Sequence, residues 1–76
     1  MLKNIKLIWD FRGPFAGKTA EHHQVHLTEY CRAERLSYTS GFEIKNELFA
    51  IAYMVVPEEH MIAVRDALRP HRAEIY

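Results

Sequence analysis

The sequence predicts a single α+β domain, residues 1–76, with its elements in the order βαββαβ. Two segments, 18–36 and 57–69, have the apolar spacing of amphipathic helices. Four segments have the alternation or the continuous apolar character of strands: 5–10, 38–44, 48–56 and 72–76. A chain of 76 residues has room for one modest core, so we expect one domain.

The first strand and the first helix are separated by a short loop. Apolar residues alternate with mostly polar ones over 5–10, and Gly13-Pro14 ends the strand. Thr19 is the predicted N-cap of the helix that follows, because its hydroxyl can accept a hydrogen bond from the first turn. The apolar side of this helix includes His23, Leu27 and Tyr30, so His23 is expected to face the core.

The second half of the chain is a hairpin, a helix and a final strand. Asn46-Glu47 suits a two-residue turn between strands 38–44 and 48–56. This turn pairs Phe42 with Ile51 and predicts that the bulky side chains of the third strand face the helices. Pro57 and the acidic residues after it begin the second helix, which runs to Arg69.

The element order resembles the ferredoxin-like split βαβ arrangement, and the resemblance covers the whole chain. It implies a four-stranded antiparallel sheet with two helices on one face. The dimeric α+β barrels are among the families with this order. The predicted register leaves Ala50, Ala52 and Met54 in the centre of the other face, too apolar for a solvated surface. We therefore expect a homodimer joined through the open sheet face.

Composition narrows the classes of partner and compartment. Ten basic and ten acidic residues give no net charge, which argues against nucleic acid as a partner. No apolar run reaches the length of a membrane span, and no apolar segment of a signal peptide follows Met1-Leu2-Lys3. Cys31 is the one cysteine, so no internal disulfide can form and a cytoplasmic location is expected.

The loop between the first strand and the first helix is the predicted binding site. The fold brings Asp10, Arg12, Lys18 and His22 to one rim, where we expect them to bind a small ligand or an anion. Arg12 can clamp an anion, and Lys18 lies at a helix start whose free N–H groups attract negative charge. The segment 13–19 has one residue too few between its glycines for a nucleotide-binding P-loop.

His22 and His26 are the predicted metal ligands, with Zn²⁺ as the candidate ion. Their spacing of four places them on one face of the helix, as in helical zinc sites. Glu29, Asp10 or His71 is a candidate third ligand. The segment lacks the Glu with which helical metalloprotease motifs activate water, and the alternative is two solvent-exposed imidazoles.

His23 is the candidate catalytic residue. One interpretation is a core histidine held by a hydrogen bond to Tyr30 or to a backbone carbonyl. The other is a ligand-binding group or a general base at the bottom of a pocket between helix and sheet. In a small enzyme of the dimeric barrel type, Arg12 would hold an acidic substrate and His22 is an alternative base. The sequence thus leaves open a homodimeric binding protein, an enzyme, or an adaptor without a small-molecule site.

Overall fold

The computed structural model describes residues 3–76; Met1 and Leu2, at the start of the predicted domain, lie outside them. Six elements follow in the order βαββαβ: β1 (Asn4–Arg12), α1 (Ala16–Ala33), β2 (Thr39–Asn46), β3 (Phe49–Pro57), α2 (Glu58–Leu68) and β4 (Arg72–Ile75). The strands form one antiparallel sheet in the order β2-β3-β1-β4. This is the ferredoxin-like fold that the element order predicts.

One face of the sheet packs against both helices and forms the core. Leu7 and Met54 pair across β1 and β3 and are fully buried. Leu27 of α1 and Val64 of α2 are in the same cluster, so both helices cover the same face. Trp9, also in this cluster, is 3% exposed and donates its indole N–H to the Leu68 carbonyl at 3.0 Å, which fixes the end of α2 to β1.

The hairpin register differs by one residue from the predicted register. Phe42 pairs with Ala52 rather than with Ile51, because β2 has a bulge between Ile44 and Asn46. The turn itself falls at residues 47 and 48. A shift of one residue turns every side chain of a strand to the other face. The prediction that the bulky residues of β3 face the helices is therefore wrong. Ala50, Ala52 and Met54, which were predicted for the open face, lie on the helix side instead.

The ends of α1 also differ from their prediction. Phe15 occupies the N-cap position, so the helix begins two residues before the predicted start. Thr19 is not a cap, and its hydroxyl donates to the Phe15 carbonyl at 3.0 Å. The helix ends at Ala33, and Arg35 adopts a left-handed φ of 57° just beyond it. Neither of the helices described is long and apolar enough to cross a membrane.

The open face of the sheet combines an apolar centre with long charged side chains. Ile8 and Ile51 are 1% and 2% exposed although no helix covers them. The Lys6 ammonium lies 4.6 Å from the centre of the Tyr53 ring, and the Arg12 guanidinium lies 4.3 Å from that of Phe49. The aliphatic stems of such long side chains can cover apolar surface while the charge stays in water.

Candidate functional site

Several elements of the fold meet at the rim that the sequence predicts as the site. The end of β1 meets the hairpin where the Gly13 N–H donates to the Leu48 carbonyl at 2.8 Å. On the other side, the His71 N–H donates to the Ile8 carbonyl at 2.9 Å, beside the start of β4. The loop that leads into α1 lies between these two connections.

A surface groove of about 460 Å³ opens at this rim, between the first turns of α1 and the end of β2. Its lining residues come from the helix start and from the hairpin: Pro14, Gly17, Lys18, Glu21, Phe42, Ile44, Asn46 and Glu47. Gly17 permits the close approach of these two elements, because a Cβ atom there would lie 3.1 Å from the Ile44 Cδ1. Lys18 is the member of the predicted site that lies in this groove.

The groove offers hydrogen-bond donors for an anion where the first turn of α1 lines it. The first turn of α1 has no side-chain cap and no acidic residue. Within residues 3–76, the N–H groups of Gly17 and Lys18 form no hydrogen bond, and the Lys18 ammonium has no ion-pair partner. Unpaired N–H groups and the positive end of the helix dipole attract negative charge.

The groove also carries carboxylates and an apolar wall. Glu21 and Glu47 line it together with the Asn46 amide. Phe42 and Ile44 form its apolar side, and Ile44 is 64% exposed. Glu21 and the hairpin residues were not among the predicted site residues. The sequence does place the hairpin at the same edge, but which of its side chains turn toward α1 depends on the bulge.

Asp10 is engaged in a different cluster, on the sheet edge beside β4. Its carboxylate accepts hydrogen bonds from the Arg72 Nε and Nη2 at 3.0–3.3 Å. Its backbone N–H donates to His71 Nδ1 at 2.8 Å. The hydrogen-bonded Arg72 guanidinium lowers the pKa of the Asp10 carboxyl below its ordinary value. These bonds continue the contact of β1 with the C-terminal segment beyond the short β4, and both carboxylate oxygens of Asp10 are already bonded to Arg72.

His23 is held between two aromatic rings on the helix side of β1. Its ring centre lies 5.1 Å from that of Trp9 and 5.4 Å from that of Phe11. Nε2 is buried and has no hydrogen-bond partner among the described residues, so the predicted bond to Tyr30 or to a carbonyl is not made through this atom. Burial lowers the pKa of His23, and the neighbouring imidazoles lower it further.

Arg12 and His23 lie on opposite faces of the sheet. Arg12 packs on Phe49 of the open face, whereas His23 packs on Phe11 of the helix face. Neighbouring residues of a strand point to opposite faces, so the sheet lies between these two side chains. The predicted site residues are therefore divided between two faces and the groove.

His22 and His26 are brought together on the exposed flank of α1. Their Nε2 atoms are 3.0 Å apart, and the two rings meet edge to face at 87°. His26 Nδ1 lies 3.4 Å from a Glu29 carboxylate oxygen. Among residues 3–76, no three or more His, Cys, Asp and Glu side chains are grouped so that they could hold a metal ion.

Comparison of the chain with protein-family models, with curated proteins and with solved structures finds no match. The fold and the side-chain geometry are therefore the basis for assigning a function.

Proposed function

We propose that this protein is a small-molecule binding domain whose rim groove holds a ligand with a carboxylate, an ammonium group and a short apolar part. The observation that carries the proposal is the groove of about 460 Å³ beside the uncapped first turn of α1. Small-molecule sites have volumes of about 300–1,000 Å³ and combine apolar walls with a few polar groups. A free amino acid with an apolar side chain has this chemistry.

The carboxylate of the ligand is assigned to the start of α1. The unpaired N–H groups of Gly17 and Lys18 are donors that an anion satisfies, and the Lys18 ammonium supplies the opposite charge. Backbone N–H donors and a lysine together favour a carboxylate or a phosphate over a neutral group.

The rest of the groove favours a ligand that is not purely anionic. Glu21 and Glu47 oppose a second negative charge and can accept hydrogen bonds from an ammonium group. Phe42 and Ile44 are available for an aliphatic side chain, and covering Ile44 removes apolar area from water. A phosphate without an amino group meets the repulsion of both carboxylates, which supports the zwitterionic class.

We also propose that the protein is a homodimer joined through the open sheet face. The four strands contain nine, eight, nine and four residues. At about 3.3 Å per residue and about 4.8 Å between strands, the face measures about 480 Å² in projection. Two faces then bury about 950 Å², without the additional area of side chains that project from the sheet. This is close to the lower limit of about 1,000 Å² for a stable interface.

The charges of this face suit a second copy of the same face. Lys6, Arg12 and Arg72 provide cations, and Asp10, Glu43 and Glu74 provide anions. An interface that combines both signs can be self-complementary, as a two-fold dimer requires. The buried free thiol of Cys31 is consistent with the reducing cytoplasm that we propose as the location.

Calorimetric titration with leucine tests the ligand class. We expect saturable binding of one leucine per chain, and much weaker binding of N-acetylleucine and of leucinamide, which lack the ammonium and the carboxylate respectively. Lys18→Ala should weaken leucine binding about tenfold or more, because it removes a charged hydrogen-bond donor. Lys3→Ala makes the same change at the opposite rim and should leave binding unaltered.

Two results contradict the ligand assignment. Equal binding of leucine and leucinamide would show that no carboxylate is recognised. If Lys18→Ala and Lys3→Ala both bind leucine like the wild type, Lys18 does not contribute to binding, and the ligand is not held in the groove.

Light scattering tests the dimer. A mass near twice the 9.0 kDa of the chain is expected, and Phe49→Glu on the open face should reduce it to that of one chain. Val25→Glu on the exposed side of α1 is the control, since Val25 is already 47% exposed and lies outside the sheet. A wild-type mass near 9.0 kDa at micromolar concentration would contradict the dimer.

A further inference from the structure

We propose that His22 and His26 form a binding site for a divalent transition-metal ion such as Zn²⁺, separate from the rim groove. Both imidazoles are exposed on α1, and neither is among the residues that line the groove. Their Nε2 atoms are 3.0 Å apart in a hydrogen bond on the exposed flank of α1, so both nitrogens are within reach of one ion. The site is therefore accessible to an ion.

The separation of the two nitrogens is close to what a shared metal ion requires. Zn²⁺ binds imidazole nitrogen at about 2.0–2.1 Å in tetrahedral geometry, which puts two such nitrogens about 3.3 Å apart. The observed 3.0 Å needs an opening of only a few tenths of an ångström. Because α1 fixes both Cα positions, a small rotation of either side chain supplies this change.

Glu29 is the outer partner that we assign to one of the two ligands. His26 Nδ1 lies 3.4 Å from a carboxylate oxygen of Glu29. A carboxylate at this position favours the proton on Nδ1 and leaves the lone pair of His26 on Nε2, toward the metal. Metal-binding histidines commonly have such a partner on their other nitrogen.

The tautomers of His22 and His26 allow a metal ion to bind while both imidazoles stay neutral. With the His26 lone pair on Nε2, the short contact requires that His22 donate its Nε2 proton to it. When the ion enters, His22 carries its proton on Nδ1 instead, and both Nε2 lone pairs bind the metal. Both rings stay neutral, and the metal–nitrogen bonds replace the imidazole–imidazole hydrogen bond.

The small number of protein ligands determines the character of the site. With no larger group of ligating side chains among residues 3–76, water must complete the coordination of the ion. Such a site is open and exchanges its metal readily. Neutral imidazoles favour Zn²⁺, Cu²⁺ and Ni²⁺ over Mg²⁺, which prefers oxygen ligands.

Calorimetric titration of untagged protein with ZnCl₂ at pH 7.5 tests the site. We expect one saturable Zn²⁺ per chain, lost in both His22→Ala and His26→Ala, with far-UV circular dichroism confirming that each variant is folded. His60→Ala, which removes an exposed histidine from α2, should bind like the wild type. Glu29→Gln should weaken binding about tenfold.

Three outcomes overturn the metal site. Absence of saturable Zn²⁺ binding refutes it directly. Binding that persists in both His22→Ala and His26→Ala assigns the ion to other groups. Equal binding of Mg²⁺ and Zn²⁺ identifies a non-specific electrostatic attraction. None of these results depends on whether the groove binds an amino acid, so the two proposals fail separately.

Discussion

The cross-strand pair of Gly41 and Tyr53 gives the sharpest prediction about the sheet. Gly41 has no side chain, and the Tyr53 ring lies over it on the open face. A Cβ atom at position 41 would lie 2.6 Å from the Tyr53 hydroxyl oxygen and 2.8 Å from Cζ. The ring must therefore leave its place when Gly41 is replaced by alanine.

The expected energies follow from two opposing effects. Overpacking typically destabilises a protein by about 1–3 kcal/mol, while alanine is favoured over glycine within a strand by about 0.5–1 kcal/mol. Gly41→Ala should thus lower the free energy of unfolding by about 1 kcal/mol in the wild type. In a Tyr53→Ala background the clash is absent, and the same change should raise it by about 0.5–1 kcal/mol. The coupling between the two positions is then about 1.5–2 kcal/mol.

Urea denaturation followed by circular dichroism measures this double-mutant cycle. Two protein concentrations should be compared, so that an effect of association on the midpoint is recognised. The predicted register, which pairs Tyr53 with Ser40, puts Gly41 on the other face and gives no coupling. An identical effect of Gly41→Ala in both backgrounds, to within about 0.5 kcal/mol, would refute the observed register.

Three further predictions concern buried polar groups and pH. Burial lowers the pKa of His23, so the unfolded chain binds more protons than the folded one, and stability should fall as the pH drops below about 6.5. His23→Phe should reduce this loss, which is measured by comparing urea midpoints at pH 7.5 and 5.5. Because Arg72 lowers the pKa of Asp10, the stability that this pair provides should be present above about pH 4 and be lost as the pH falls through the folded-state pKa of Asp10. If Arg72→Gln has the same dependence of unfolding free energy on acid pH as the wild type, this prediction is contradicted. Trp9→Phe leaves the Leu68 carbonyl without its indole donor and should cost about 1–3 kcal/mol in thermal or urea unfolding, and an unchanged midpoint would show that the hydrogen bond contributes nothing.

The existence and order of the elements could be predicted because local patterns determine them. Alternation in residues 5–10 and the helical spacing in 18–36 depend only on which side of each element is buried. The register of the hairpin could not be read in this way. The bulge between Ile44 and Asn46, with the Asn46 side chain accepting the Leu48 N–H at 2.8 Å, moves the turn by one residue. A two-residue turn at Asn46-Glu47 and the observed turn fit the same sequence pattern.

The candidate site was predictable in its position and less so in its composition. The topology brings the loop before α1, the hairpin and His71 to one rim, and Lys18 does line the groove there. Alternation along β1 separates Arg12 from His23, a consequence of strand geometry that the sequence already contains. The pairing of Asp10 with Arg72, 62 residues away, depends instead on the β1–β4 register.

Mapping of leucine binding by ¹⁵N–¹H correlation NMR tests the proposed groove most directly. The groove assignment predicts saturable shifts of the amide signals of Gly17, Lys18 and Asn46, with no change at residues 58–60 on the opposite rim. Shifts confined to residues 51–55 would place the ligand on the open sheet face instead. Unchanged spectra at millimolar leucine would contradict the assignment of an amino-acid ligand to this groove.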